Sequence, residues 1–253
     1  MITAIIQARY NSTRLPGKVL ADICDKPMLE HIIDRVKASE LIEQIIVATS
    51  DQPDDKKIIE HAKFCNVNVY SGNAENVLDR FYQASKLLSA TIIVRITADD
   101  PFKDPEIIDK VLYHLIENDH LDYVSNNIEP SFPEGLDVEA FRFSALKKAW
   151  KEALLPSERE HVTPYIYKNN KIFNVANIKC DCDLSDMRWT VDYINDLNFA
   201  REIYKKLYGQ NIFYMRDILN LLHNYPELLK LNKGIKRNEG YLRSIKNDNV
   251  PTS

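Results

Sequence analysis

Glycine is scarce in this chain, with six residues in 253. A sequence this sparing uses glycine where backbone freedom or close approach is needed, and Gly17, Gly72 and Gly135 each fall in a polar loop. Cysteine is scarce too: Cys24, Cys65, Cys180 and Cys182. So few thiols in this length do not make a disulfide framework. Cys180 and Cys182 stand too close to form half of a zinc ribbon, and no second pair completes one. All four are expected to be reduced and structural. No apolar run approaches the roughly 20 residues of a membrane helix; Ile2–Ile6 and Thr91–Val94 are strand-sized. No basic, cleavable apolar leader opens the chain, so a cytoplasmic location is expected. An excess of positive charge is also missing, the formal net charge being -4. Nucleic acid and anionic membranes therefore have no general electrostatic attraction to it. Any phosphate ligand must be held by a local cluster of cations.

What is present is a hydrophobic fraction of 45%, enough to bury a core. The length suits one large domain with an appendage: residues 1–230, followed by a polar tail over 231–253 that reads either as an arm across a partner or as disorder. Short apolar runs alternate with amphipathic stretches. Strands are predicted at Ile2–Ile6, Ile45–Thr49, Val67–Tyr70, Thr91–Arg95 and around Tyr123. Helices are predicted after Pro27, after an Asp51 N-cap, over Leu78–Leu88 and over Asp104–Ile116. Further on, the pattern predicts a helix over Phe143–Leu155, strands over Ile172–Ile178 and Trp189–Val191, and a helix over Ile194–Leu207. Strand alternating with helix, with strands apolar on both faces, predicts an α/β fold: a mostly parallel sheet flanked by helices, with a small β-containing insertion. Ligands of such sheets sit beyond the carboxyl ends of the strands, which directs attention to the loops after Ile6, Thr49, Tyr70 and Arg95.

The first of these loops, Gln7-Ala-Arg-Tyr-Asn-Ser-Thr-Arg-Leu-Pro-Gly-Lys18, carries Arg9, Arg14, Lys18 and two hydroxyls, with no acid. Cations and free backbone N–H groups at a strand end suit a triphosphate; a solvated basic loop is the plainer reading. The loop lacks the Walker A pattern. Asp99-Asp-Pro101 places carboxylates at another strand end, where they suit Mg²⁺ or a simple turn. Asp192 ends a β-branched run and also suits a helix N-cap.

The run from Ala8 to Lys18 closely resembles the signature loop of the CMP-sugar synthetase (cytidylyltransferase) family, and within it the SpsF group of spore coat polysaccharide biosynthesis proteins. The resemblance continues in order through Val77-Leu-Asp-Arg80, Arg95-Ile-Thr-Ala-Asp-Asp-Pro101 and Gly135-Leu-Asp-Val-Glu139. It extends through Ser157-Glu-Arg-Glu-His-Val-Thr-Pro-Tyr165, Arg188-Trp-Thr-Val-Asp192 and Arg237-Asn-Glu-Gly-Tyr241. The chain departs from the family at Ala98, where glycine is usual, and at Asp100.

The resemblance implies a Rossmann-like fold of the nucleotide-diphospho-sugar transferase type, a homodimer, and transfer of CMP from CTP to a small acidic acceptor with release of pyrophosphate. It implies that Asp99 and Asp192 hold Mg²⁺ while Arg9, Lys18 and Arg14 serve the phosphates. Ala8, Ser12, Ser71, Gly72, Asp79 and Arg80 fall to the nucleotide. Asp137 and Glu139 alternate with apolar residues and are expected on one strand face. Together with Arg159 and His161 they are candidates for the acceptor, although Ser157 and Glu160 also have capping-box spacing. Two alternatives stand beside this reading: a glycosyltransferase that consumes a nucleotide sugar, and a catalytically silent nucleotide-binding subunit.

Overall fold

The computed structural model describes residues 1–209, 212–235, 237 and 239–248. Its elements run β1 (Ile2–Gln7), β2 (Asp22–Ile23), β3 (Lys26–Pro27), α1 (Met28–Lys37), β4 (Gln44–Ser50), α2 (Lys56–Phe64), β5 (Asn68–Gly72), α3 (Val77–Leu87), β6 (Ile92–Thr97), α4 (Pro105–Glu117) and β7 (Tyr123–Ser125). They continue with β8 (Glu139–Arg142), α5 (Phe143–Glu152), α6 (Pro156–His161), α7 (Pro164–Lys168), β9 (Val175–Asn177), α8 (Ile194–Lys206), α9 (Met215–Asn224) and α10 (Glu239–Asp248). Among the described residues, no helix is long and apolar enough to cross a membrane.

Seven strands form one sheet in the order β5-β4-β1-β6-β8-β7-β9, and β2 pairs with β3 in a separate hairpin. β1 runs parallel to both β4 and β6, and only β8 runs against its neighbours. The expected α/β class and mostly parallel sheet are what the chain forms. Alternation along β1 separates two cores. Ala4 and Ile6 pack on one face with Ile32 and Ile33 of α1 and Val111 of α4, while Ile5 packs on the other with Phe81 of α3 and Leu146 of α5. Each such fully buried aliphatic side chain contributes about 1.5–3 kcal/mol.

The chain leaves β1 toward β4 and β5, then crosses back to β6 on the other side. The gap between the carboxyl ends of β1 and β6 is therefore the switch point where such sheets bind ligands.

Several local expectations differ from the structure. Asp51 does not cap α2. A 3₁₀ turn over Pro53–Asp55 intervenes, and the buried Asp55 carboxylate accepts from Ser50 N at 3.0 Å and Tyr10 N at 2.7 Å. The predicted Phe143–Leu155 helix stops at Glu152 because Pro156 opens α6, whose Glu158 carboxylate accepts from the amides of Leu154 and Leu155. The capping partner there is Glu158, not the Ser157–Glu160 pair.

Trp189–Val191 is not a strand of the sheet. Trp189 N donates to Glu134 O at 2.7 Å and Val191 N to Asp99 O at 2.8 Å, so the segment is laid across two loops instead. Part of the polar tail after residue 231 forms α10, which packs along α6.

Candidate active site

The first loop is shaped by its own backbone. Gly17 N donates to Tyr10 O at 2.8 Å, and Gly17 has φ 74 with the Tyr10 ring 3.1 Å from where a Cβ would stand. Glycine suits both the left-handed backbone and this close approach. The closed loop forms one wall of a cavity of about 860 Å³ over the ends of β1 and β6. Arg9, Ser12, Arg14 and Lys18 face this cavity from the loop, joined by Asp99 beyond β6 and Asp192 before α8.

Asp99 and Asp192, 93 positions apart in sequence, meet at Lys18. Its ammonium lies 2.9 Å from Asp99 Oδ2, 2.8 Å from Asp192 Oδ1 and 2.7 Å from Val191 O. Arg14 also donates to Asp192 Oδ1. The Lys18 side chain is 7% exposed, while that of Asp99 keeps 30% and opens on the cavity. Burial opposes charge on all three groups, yet their mutual attraction prevails. Lys18 is pushed above the ordinary lysine range by the two aspartates, and Lys18 holds both aspartates below the carboxylate range.

Behind Asp192 stands Arg188. Its guanidinium reaches Asp192 Oδ2 at 3.0 Å, Glu134 Oε2 at 2.6 Å and Asp196 Oδ1 at 3.1 Å, and these acids outweigh burial to raise its pKa. Arg188 had no role in the sequence reading. Its i, i+4 spacing to Asp192 and on to Asp196 was the available signal.

Asp100 does not turn toward this cluster. Its carboxylate accepts from Thr97 Oγ1 at 2.6 Å and pairs with the buried Lys103 at 2.8 Å.

The residues proposed for the nucleotide divide. Ala8, Ser12 and Arg80 line the cavity, whereas Ser71, Gly72 and Asp79 do not. Ser71 Oγ donates to Ser50 O, Gly72 packs against the Tyr70 ring, and Asp79 accepts from Trp150 Nε1 at 2.8 Å. Adjacent helical residues point about 100° apart, so Asp79 and Arg80 cannot share one face. Arg80 donates to Asn73 O at 2.6 Å and Ala74 O at 2.9 Å, and its Nε is buried without a hydrogen-bond partner. Burial, then the nearby Arg9 charge, lowers its pKa. Two mutually repelling guanidinium groups in one cavity favour an anionic ligand.

The acceptor candidates divide as well. Asp137, Glu139 and His161 line the cavity and Arg159 does not. Asp137 precedes β8 rather than sharing a strand face with Glu139. It pairs with Arg237 at 2.5 Å, and burial outweighs that partner to raise its pKa. Glu139 is already occupied: it accepts from Arg95, from Tyr123 OH at 2.6 Å and from Thr163 Oγ1 at 2.5 Å. It fixes Arg95 at the cavity floor. His161 Nε2 lies 2.9 Å from Ser244 Oγ, and burial, then Arg95, lowers its pKa to about 4, so the ring is neutral at pH 7. Glu239, Tyr241, Arg243 and Ser244 of α10 complete the wall, with Tyr193 OH donating to Glu239 at 2.8 Å.

The donor set at Asp99 and Asp192 is hard oxygen, with two carboxylates already within bonding distance of one cationic nitrogen. That arrangement fits Mg²⁺, which takes one or two carboxylates and leaves room for phosphate oxygens and water.

Comparison with known proteins shows the family. A family model described as cytidylyltransferase matches residues 3–227. An uncharacterized protein of Methanocaldococcus jannaschii is 40% identical over 238 residues, covering 93% of this chain and 96% of its own length. The spore coat polysaccharide biosynthesis protein SpsF of Bacillus subtilis is 29% identical over 234 residues, covering 89% and 95%. The solved structure of a cytidylyltransferase from Leptospira borgpetersenii superposes with a TM-score of 0.88 at 31% identity, over 93% of this chain and 99% of that one.

Proposed function

Because this chain belongs to the cytidylyltransferase family, we propose that it transfers CMP from CTP to an acidic sugar, of the nonulosonate or octulosonate kind, or to a related acid, in the making of a surface polysaccharide. The observation that carries the reading is the meeting of Asp99 and Asp192 at Lys18 above the cationic loop. The kinship with SpsF supports the polysaccharide setting.

The acceptor hydroxyl gives up its proton to solvent and its oxygen attacks the α-phosphorus, while the bond from that phosphorus to the bridging oxygen breaks and pyrophosphate leaves with the electron pair. Such chemistry depends mainly on positioning and charge neutralisation. Arg9, Arg14 and Lys18 supply positive charge to the triphosphate. Arg80 and the backbone around Ala8 and Ser12 hold the nucleoside. Asp99 and Asp192 would hold Mg²⁺, which when bound neutralises phosphate charge and fixes its orientation. Lys18 then exchanges its carboxylate partners for phosphate oxygens. Arg95, buttressed by Glu139, is a cation at the cavity floor for the acceptor's carboxylate.

The test is pyrophosphate release from CTP across a panel of acidic sugars, with and without Mg²⁺. Acceptor-dependent release with CTP well above UTP is expected. Consumption of a nucleotide sugar without pyrophosphate would overturn the reading, as would failure to bind CTP in the presence of Mg²⁺.

A further inference from the structure

Outside the cleft, on the helical layer formed by α1 and α2, three donors of different chemistry converge. Glu30 lies in the first turn of α1. His61 lies in the last turn of α2, and Cys65 follows one turn later. His61 Nε2 is 3.2 Å from Glu30 Oε2 and 3.6 Å from Cys65 Sγ. One ligand atom from each of the three residues falls within 4.8 Å of the others. We propose that these residues form a second cation site, for a borderline divalent ion of the Zn²⁺ class.

The distances favour this over a chance grouping. Tetrahedral zinc with bonds of about 2.0–2.1 Å to nitrogen, 2.0–2.2 Å to oxygen and 2.3 Å to sulfur has N–O edges of about 3.4 Å and N–S edges of about 3.6 Å. The two separations from His61 are already close to those edges, and the Glu30–Cys65 edge lies within 4.8 Å. His61 and Cys65 share a helical face through their i, i+4 spacing.

The surroundings leave the donors available. Lys26 approaches Glu30 through Oε1 at 3.5 Å, which leaves Oε2 on the His61 side. Lys37 takes the carbonyl of Cys65 at 2.8 Å and leaves the sulfur alone. Glu30 and His61 side chains are each 17% exposed, so the site is partly dry yet reachable.

Donor chemistry separates this site from the cleft. A mixed nitrogen, sulfur and oxygen set selects zinc-like ions, whereas paired carboxylates select Mg²⁺. None of the three residues lines the cleft. The bound ion would tie α1 to α2, with a water as fourth ligand, and act on stability rather than on turnover.

The test uses the full chain stripped with a chelator and titrated with Co²⁺ and Zn²⁺. One equivalent of Co²⁺ is expected to give a thiolate charge-transfer band, and equimolar Zn²⁺ to raise the melting temperature. C65S should abolish the band and H61N should weaken binding at least about tenfold. Both variants should keep the wild-type circular dichroism and pyrophosphate release with Mg²⁺, a readout that keeps this test separate from the proposed activity. Absence of the band in the wild type overturns the proposal. So does an undiminished band in C65S, which would assign the ion to another of the free thiols, Cys24, Cys180 or Cys182.

Discussion

Arg188 grips Asp192 from behind, Nη2 to Oδ2 at 3.0 Å, and so leaves Asp192 Oδ1 facing Lys18 at 2.8 Å. The aspartate is aimed by a residue that lies outside the cationic loop. Arg188 also neutralises Glu134 and Asp196, and both of those side chains are largely buried.

The first prediction concerns this support. Breaking a buried ion pair from one side costs about 3–5 kcal/mol, because the remaining charge stays uncompensated. Arg188→Gln is expected to lose stability on that scale in urea denaturation, and to lose turnover even at temperatures where it is folded. Arg188→Lys keeps the charge but not the fork, and should fall between. A fully active and fully stable Arg188→Gln would show that Asp192 needs no such buttress.

Asp99 is different, because its side chain keeps 30% exposure and its direct ion pair is with Lys18. Asp99→Asn should lose less stability than Arg188→Gln, because Lys18 keeps Asp192 as a partner. Removing a charge that organises the phosphates should lower turnover by about 10²–10³. Thermal melting and pyrophosphate release read the two effects separately, and near wild-type rates would end the metal assignment.

The pH dependence of stability follows from His161. Its pKa falls from the ordinary 6.5 to about 4 in the fold, through burial and then the Arg95 charge. Between these values the unfolded chain binds a proton that the native state does not, so stability rises with pH across that window. The contribution is present above pH 6.5, is lost on acidification toward pH 4, and amounts to about 3 kcal/mol at most. Asp99 and Asp192, which the Lys18 ammonium holds below the ordinary carboxylate range, add a second loss at still lower pH. Urea midpoints measured from pH 7 to pH 4 should fall steadily for the wild type and much less for His161→Gln. Parallel slopes in the two proteins would mean that the ring titrates normally.

Much of the fold was legible because its signals are local. Asp104 caps α4 through Glu106 N, with Pro105 at the first helical position, as short-range rules require. The run Ile2–Ile6 is buried on both faces, which its mostly apolar composition foretold. The cationic loop and the two aspartates were also readable, though only the coordinates show them meeting at one point. What stayed hidden is long-range. Trp189–Val191 has strand composition because it is buried by packing, not because it pairs in the sheet. Ser71 and Asp79 lie close in sequence to Arg80 but face other partners. The polar residues of α10 gave no sign of packing on α6, since the contacts there are hydrogen bonds such as Ser157 Oγ to Asp248 at 2.5 Å rather than an apolar stripe.

The last prediction tests whether the two halves of the site depend on one glycine. Gly135 has φ 108, and a Cβ there would stand 2.8 Å from both Thr190 N and Trp189 C. Backbone atoms cannot swing aside as a flexible side chain can. Gly135→Ala must therefore strain its own backbone, at about 1–3 kcal/mol, and also push the 189–190 segment off the 134–136 loop. That segment leads directly into Asp192, so the displacement reaches the point where Asp192 meets Lys18. The variant should lose both stability and at least about tenfold in turnover, since small misplacements of positioning groups are costly. Gly209→Ala is the control. Gly209 also has positive φ, at 95, but among the described residues nothing lies within 4 Å of its Cβ position. It should show a small stability loss and unchanged turnover. If the two alanine variants behave alike, backbone strain accounts for the whole effect, and the close approach of residue 135 to residues 189–190 contributes nothing to aiming Asp192.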